Sequence, residues 1–286
     1  MLKFGIIGYP LEHSFSPVMH SAAMQYLNIK GEYKPYEIKE DELKAKIKGL
    51  KESGLKGFNV TIPHKIKIIP YLDELTKRAK LVGAINTVTI TSGKLTGENT
   101  DVIGFWEAIP EEIRKELRGK TISILGYGGS ACACAIALLL NTKFKTLNIY
   151  GRNQEKLLAF KTFILEKIKQ LKLKTKVTYN LIKDIDLSDT FTLINTTPIG
   201  MYPDRNNSPL KKEELTKLPP EALVCDLIYN PEETKLLKYA KELNKRTLNG
   251  TEMLIRQGAA SLGIWLNQKV SPIGVMRLAL KHNIPE

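Results

Sequence analysis

Cysteine is scarce in this chain: three residues in 286, at positions 132, 134 and 225. Three cannot all pair, and Cys132 and Cys134 stand two apart in a predicted helix, facing different ways. No CxxC or Cys/His cluster supplies the four ligands of a structural zinc. The expectation is a reduced, cytoplasmic setting with no disulfide framework and no metal. Long apolar runs are also lacking. The longest, Ala131 to Leu140, is about half a membrane span, and the N-terminus enters a strand-like KFGIIG without a signal-peptide pattern. Arginine is sparse too, at eight of 43 basic residues. The Lys are scattered, and their densest run, 167–176, alternates with Ile, Leu and Thr and has no interleaved aromatics. That pattern speaks for a solvated helix face and against nucleic acid. The net charge of +13 is read as a field that attracts small anions.

What remains is an ordinary globular composition, 43% hydrophobic and 26% charged, long enough to bury one large core or two. In the first half strands predicted at 3–8, 32–38 and 55–61 alternate with helices at 17–27, 41–52 and 73–82, the signature of parallel βαβ units. NTVTITSGKLTGENTD (86–101) alternates around Ser92-Gly93 and reads as a hairpin. After a charged helical connector (105–117) the alternation restarts. Strands at 121–126, 147–151, 190–195, 222–229 and 246–250 predict a second, doubly wound sheet. The tail, 253–266 and 272–280, is helical and is expected to pack on the first domain. The expected division is 1–104, completed by 251–286, and 105–250.

GYGGSA (126–131) joins a predicted strand to a predicted helix and fits G-x-G-x-x-G/A. Gly126 makes the tight turn, Gly128 admits the backbone to a pyrophosphate, and Ala131 permits close helix–strand packing. The helix N-terminus then offers free N–H groups to the anion, with Gly129 and Ser130 in its first turn. A plain tight turn is the bland alternative. At the end of the next strand an NAD enzyme usually carries Asp or Glu for the ribose 2′-hydroxyl. Here stand Gly151-Arg152-Asn153, with Lys156 one turn on. A guanidinium without a carboxylate suits a 2′-phosphate, so NADP(H) is expected.

NVTIPHK (59–65) ends a buried-looking strand in His64 and Lys65. SFSP (14–17) offers either ordinary capping of a helix by Ser16 or two neutral donors for a carboxylate. Asn59, Thr61, Lys65, Asn86 and Asp101 all fall near strand ends, where open α/β sheets bind ligands. A lysine fixed by a carboxylate can serve as a positioned proton donor, with His64 as the alternative acid.

Together HSFSPVMH (13–20), GFNVTIPHK (57–65), GAINTV (83–88), NTD (99–101), GYGGSA, NTTPIGM (195–201), DLIYNP (226–231), NG (249–250) and QGA (257–259) make the chain resemble the shikimate dehydrogenases nearly end to end. The resemblance implies an N-terminal α/β substrate domain, a Rossmann-type NADP domain and an active site in the cleft between them. It implies reversible NADPH-dependent reduction of 3-dehydroshikimate to shikimate, in aromatic amino-acid biosynthesis. By motif, Ser14 and Ser16 would hold the substrate carboxylate, and Asn59, Thr61, Asn86 and Gln257 its ring hydroxyls. Lys65 and Asp101 would be the catalytic pair. Thr196, Tyr229, Gly250 and Met253 would join the glycine turn, Arg152, Asn153 and Lys156 around the cofactor. Four positions depart from the family pattern: Gly151 and Asn153 replace the outer residues of Asn-Arg-Thr, Tyr127 replaces a small residue in the turn, and Val102 follows NTD in place of Gly. Competing readings are a quinate/shikimate dehydrogenase accepting NAD, a methylene-tetrahydrofolate-type dehydrogenase, and a non-catalytic NADPH-binding regulator. The expected partner is a small molecule, with no nucleic acid or membrane, and the chain as monomer or homodimer.

Overall fold

The computed structural model describes residues 1–283, so the last three residues of the segment 251–286 lie outside the described residues. The chain divides into two units, Met1–Gly104 with the segment from Leu254, and Phe105–Met253.

In the first unit the elements run β1 (Leu2–Gly8), α1 (Ser16–Tyr26), β2 (Gly31–Glu37), α2 (Leu43–Glu52), β3 (Gly57–Val60), β4 (Glu74–Leu75), α3 (Lys77–Val82), β5 (Thr87–Thr91) and β6 (Lys94–Glu98). They form one sheet, ordered β2-β1-β3-β5-β6-β4. β1 pairs in parallel with β2 and β3, while β5 runs antiparallel to both β3 and β6. The β5–β6 hairpin turns at Ser92 (φ 49°) and Gly93 (φ 73°), the two left-handed residues that a tight two-residue hairpin demands. The helix expected from Asp73 starts later, because Glu74–Leu75 pairs with β6. Asp73 fixes that start by accepting the Leu95 N–H at 2.7 Å. The helix begins only after Thr76, whose hydroxyl oxygen accepts the Ala79 N–H.

The connector breaks into α4 (Asp101–Ala108) and α5 (Glu111–Glu116), divided at Pro110, which has no N–H to continue a helix. The second unit continues with β7 (Thr121–Leu125), α6 (Gly129–Asn141), β8 (Thr146–Gly151), α7 (Gln154–Gln170), β9 (Lys176–Leu181), β10 (Thr190–Asn195), α8 (Lys212–Leu215), β11 (Leu223–Asp226), α9 (Lys235–Glu242) and β12 (Arg246–Leu248). Its six strands are all parallel, ordered β12-β11-β10-β7-β8-β9. Strand order reverses between β7 and β10, the switch point at which such sheets bind ligands. β7, β8 and β10 are buried along their whole lengths, as strands covered on both faces must be. α10 (Thr251–Leu266) and α11 (Ile273–Lys281) return to the first unit. There Ile255, Leu262, Met276 and Leu280 share a core with Phe4, Ile6, Met19 and Met24.

Asp226 is fully buried at the end of β11. Thr234 Oγ1 (2.7 Å), Asn195 Nδ2 (3.0 Å) and the Ile228 N–H (3.2 Å) donate to its carboxyl. Burial nevertheless outweighs these bonds and pushes the carboxyl up to about 6. A folded-state value above the ordinary 3.8 means that the native protein holds the extra proton between about pH 4 and 6. Stability from this group is therefore present below that window and lost as pH rises through it, by roughly 3 kcal/mol. Asp226→Asn should remove this dependence. Urea unfolding of both proteins from pH 4 to 7 should show the stability difference moving towards the variant by about that amount, whereas a pH-independent difference would contradict it.

Candidate active site

In the first unit Lys65 follows the end of β3, and its carbonyl accepts the Ile85 N–H just before β5. Lys65 Nζ donates to Asp101 Oδ2 at 2.6 Å, with the two side chains 15% and 5% exposed. Asp101 opens α4, where a carboxylate also meets the positive end of the helix. His64 is turned the other way. It is fully buried, with Nε2 2.7 Å from the Ile38 carbonyl oxygen, so of the two neighbours only Lys65 reaches the carboxylate.

Asn86 ties this pair to the sheet. Its Nδ2 lies 2.8 Å from Thr100 Oγ1, 2.8 Å from Asp101 Oδ1 and 3.1 Å from Gln257 Oε1. An amide nitrogen has two hydrogens for these three acceptors, and the contact to Gln257 is the longest. The Asn86 oxygen accepts the Thr100 N–H at 2.7 Å and the Thr87 hydroxyl at 3.0 Å. Asn59 is committed one layer deeper. Its oxygen accepts the Tyr33 hydroxyl at 2.8 Å, and its nitrogen donates to the Asn86 carbonyl and to Ser261 Oγ, each at 3.0 Å. Ser261, with no exposed surface, also lies 2.8 Å from Thr87 Oγ1 and 3.1 Å from Thr100 Oγ1. His20 stacks on Tyr33 at 4.3 Å. Burial holds its imidazole down at about 3, against a smaller pull the other way from Asn59, so it is neutral at physiological pH.

Thr61 and the serines lie at the same strand ends. Thr61 donates its N–H to the Ile7 carbonyl and packs against Gly8. Ser16 is the first residue of α1 and caps nothing. No side chain caps that helix and no acidic residue sits in its first turn. Ser14 Oγ accepts the Ser16 N–H at 3.4 Å. Neither serine bonds to the Lys65–Asp101 cluster among the described residues.

In the second unit Gly126 takes φ 110°, open to glycine alone, and a Cβ there would run into Thr196. The Thr196 hydroxyl is itself spent on the Leu125 carbonyl at 2.6 Å, so it buttresses the turn. A Cβ at Gly128 would meet nothing within 4 Å. α6 starts at Gly129 with no side-chain cap and no acidic residue in its first turn, leaving the N–H groups of a thirteen-residue helix for an anion. Ala131 is fully buried behind Ser130. At the end of β8, Arg152 and Lys156 are exposed, and neither side chain has a hydrogen-bond or ion-pair partner among the described residues. Asn153 is occupied as the cap of α7, its oxygen accepting the Lys156 N–H at 2.9 Å. Gly250 is buried against the carbonyl of Leu227 and donates its N–H to Ile228. Met253 is buried, and burial raises the phenol of Tyr229. An open glycine turn, an uncapped helix and two free cations fit a dinucleotide bearing a 2′-phosphate.

The doubly wound sheet with this turn, and the lysine–carboxylate pair, define a nicotinamide-dependent oxidoreductase. The profile of the shikimate dehydrogenase substrate-binding domain matches residues 6–88. The NADP(+) shikimate dehydrogenase of Methanocaldococcus jannaschii is 45% identical over 280 residues, 98% of this chain and 96% of that protein. A crystal structure of a shikimate dehydrogenase in complex with NADP+ superposes with a TM-score of 0.88 at 41% identity, covering 100% of this chain and 96% of the other. The Listeria monocytogenes enzyme, solved with shikimate and NAD, gives 0.83 at 34% identity, with 98% and 96% covered. The chain belongs to the shikimate dehydrogenase family.

Thr87, Thr100, Tyr33 and Ser261 are the buried members that the motifs did not single out. Two sit inside GAINTV and ENTD beside residues that were chosen. Ser261 lies four residues after Gln257 on the same helix face, a spacing that could have found it. Tyr33 carries no such signal. Ser261→Ala would leave Asn59, Thr87 and Thr100 short of a partner. It should lower unfolding free energy by about 1–3 kcal/mol, read by urea denaturation, and a loss below about 0.5 kcal/mol would show that the cluster repacks without it.

Proposed function

We propose that the chain catalyses the reversible NADPH-dependent reduction of 3-dehydroshikimate to shikimate. The observation that carries this reading is the 2.6 Å contact between Lys65 and Asp101. It is fixed by Asn86 at the ends of the strands that also carry Thr61 and lead to Ser14 and Ser16. In this reading the two serine hydroxyls and the uncapped start of α1 receive the substrate carboxylate. Thr61, Asn86 and Gln257 take the ring hydroxyls, with Gln257 the group most easily released from Asn86. Asn59 then acts from below, by holding Asn86 and Ser261 in place. Lys65 gives a proton to the alkoxide oxygen as the ketone is reduced and takes it back in the reverse direction, while Asp101 keeps the amine on that oxygen's side.

When bound, NADPH supplies the hydride. The pyrophosphate suits the Gly126–Ala131 turn and the start of α6, and Arg152 and Lys156 suit the 2′-phosphate. Tyr229, Gly250 and Met253 complete the proposed cofactor set.

Steady-state oxidation of shikimate and of quinate, each with NADP+ and NAD+, tests the assignment. Shikimate with NADP+ should give the highest kcat/KM, and a higher value for quinate or for NAD+ would overturn the corresponding half. Arg152→Ala should weaken NADPH binding by about 1.5–3 kcal/mol, the scale of a hydrogen bond to a charged group, and leave NADH nearly unchanged. Equal loss for both would make Arg152 structural.

A further inference from the structure

Two of the positions that depart from the family pattern touch each other. Tyr127, inside the glycine turn, lays its ring over Gly151 at the end of β8. A Cβ on Gly151 would sit 2.6 Å from Tyr127 Cε1, 2.8 Å from Cδ1 and 3.2 Å from Leu157 Cδ2. Gly151 is not in the left-handed region, so the backbone would accept other residues there. What requires glycine is the ring.

The ring is only half-buried. It spans from the turn, where Gly128 leaves open space, to the strand end that carries the exposed Arg152. A tyrosine needed only as filler would do as well with an aliphatic side chain. Here an aromatic surface stays open between the place for the pyrophosphate and the cation for the 2′-phosphate, and the group joining those two phosphates in NADP is the adenosine.

We propose that Tyr127 is a cofactor-binding residue whose ring forms the wall of the adenosine side of the dinucleotide site, with Gly151 as the space that admits it. The proposal rests on the NADP reading above. Contact with a ring face is indifferent to the 2′-phosphate, so Tyr127 acts on NADP+ and NAD+ alike, whereas Arg152 discriminates between them.

Calorimetric titration with NADP+, NAD+ and adenosine 2′,5′-bisphosphate tests this without turnover. Tyr127→Ala should weaken all three by about tenfold, within the range for loss of an aromatic stacking surface. Tyr127→Phe should stay within about twofold of the parent, since the ring is kept. Tyr127→Leu keeps the space over Gly151 filled and should still lose most of the affinity. Gly151→Ala, whose methyl group displaces the ring, should weaken binding in the parent and have no further effect on top of Tyr127→Ala, the non-additivity of a contacting pair. Thermal melts confirm that each variant is folded. If folded Tyr127→Leu binds the bisphosphate within about twofold of the parent, the ring is only filler and the proposal falls. Loss confined to NADP+ would also overturn it, because the ring would then act by holding Arg152. Failure of the parent protein to bind the bisphosphate would remove the NADP reading, and the proposal with it.

Discussion

An ammonium group held against a carboxylate where little water reaches is the constraint on which the first unit is built. Removing charges from water costs several kcal/mol per ion, and the attraction between them offsets this only with near-ideal geometry and further hydrogen bonds. Lys65 and Asp101 meet both conditions, at 2.6 Å, with Asn86 on the second carboxylate oxygen. Asn86 in turn needs a rigid support, which Asn59 and Thr87 supply from the sheet, Thr100 from the segment before α4 and Ser261 from α10. Four of the elements that carry this cluster, β3, β5, α4 and α10, are remote in sequence. The geometry at the strand ends therefore depends on polar residues buried beneath them, and such clusters hold a geometry only when nearly every member is satisfied.

The second unit solves a different problem with fewer polar groups. In the proposed reading it receives an anion, mainly with backbone: a left-handed glycine at 126, an open position at 128 and an uncapped helix behind them. Side chains enter at its margins. Thr196 and Asn153 are consumed by supporting the turn and capping α7, and the proposal gives the exposed Arg152 and Lys156 the task of selecting among cofactors. A basic excess spread over the surface agrees with this division, because it draws small anions in general while the specific charges sit at one strand end.

Much of this was legible in the sequence, and for identifiable reasons. Parallel strands buried on both faces read as continuous apolar runs, so TISILG and TFTLIN were plain. The hairpin declared itself by Ser92-Gly93, and the glycine turn by its spacing. The start of α3 was misplaced because Glu74–Leu75 looks helical until Asp73 is pinned to β6, a contact 22 residues away. Lys65 and His64 could not be separated by spacing alone. What separates them is that His64 finds the Ile38 carbonyl, again a long-range contact. The same limit hid Tyr33 and the pairing of Tyr127 with Gly151. Short motifs announce groups that face a ligand, whereas the residues that hold those groups are distributed along the chain and become visible only once it folds.

The central claim is that the amine of Lys65, positioned by Asp101, moves the proton. It is tested most directly by kcat for shikimate oxidation in Lys65→Met, Asp101→Ala, their double variant and His64→Ala, with folding confirmed by thermal melts. Lys65→Met should lower kcat by about 10²–10⁴-fold, the usual contribution of a positioned acid or base. The double variant should lose far less than the product of the two single losses, as residues acting as one unit do, and His64→Ala should cost much less than either. A Lys65→Met enzyme that keeps more than about a tenth of the parent kcat would contradict the account, since so small a loss falls short of a positioned proton donor.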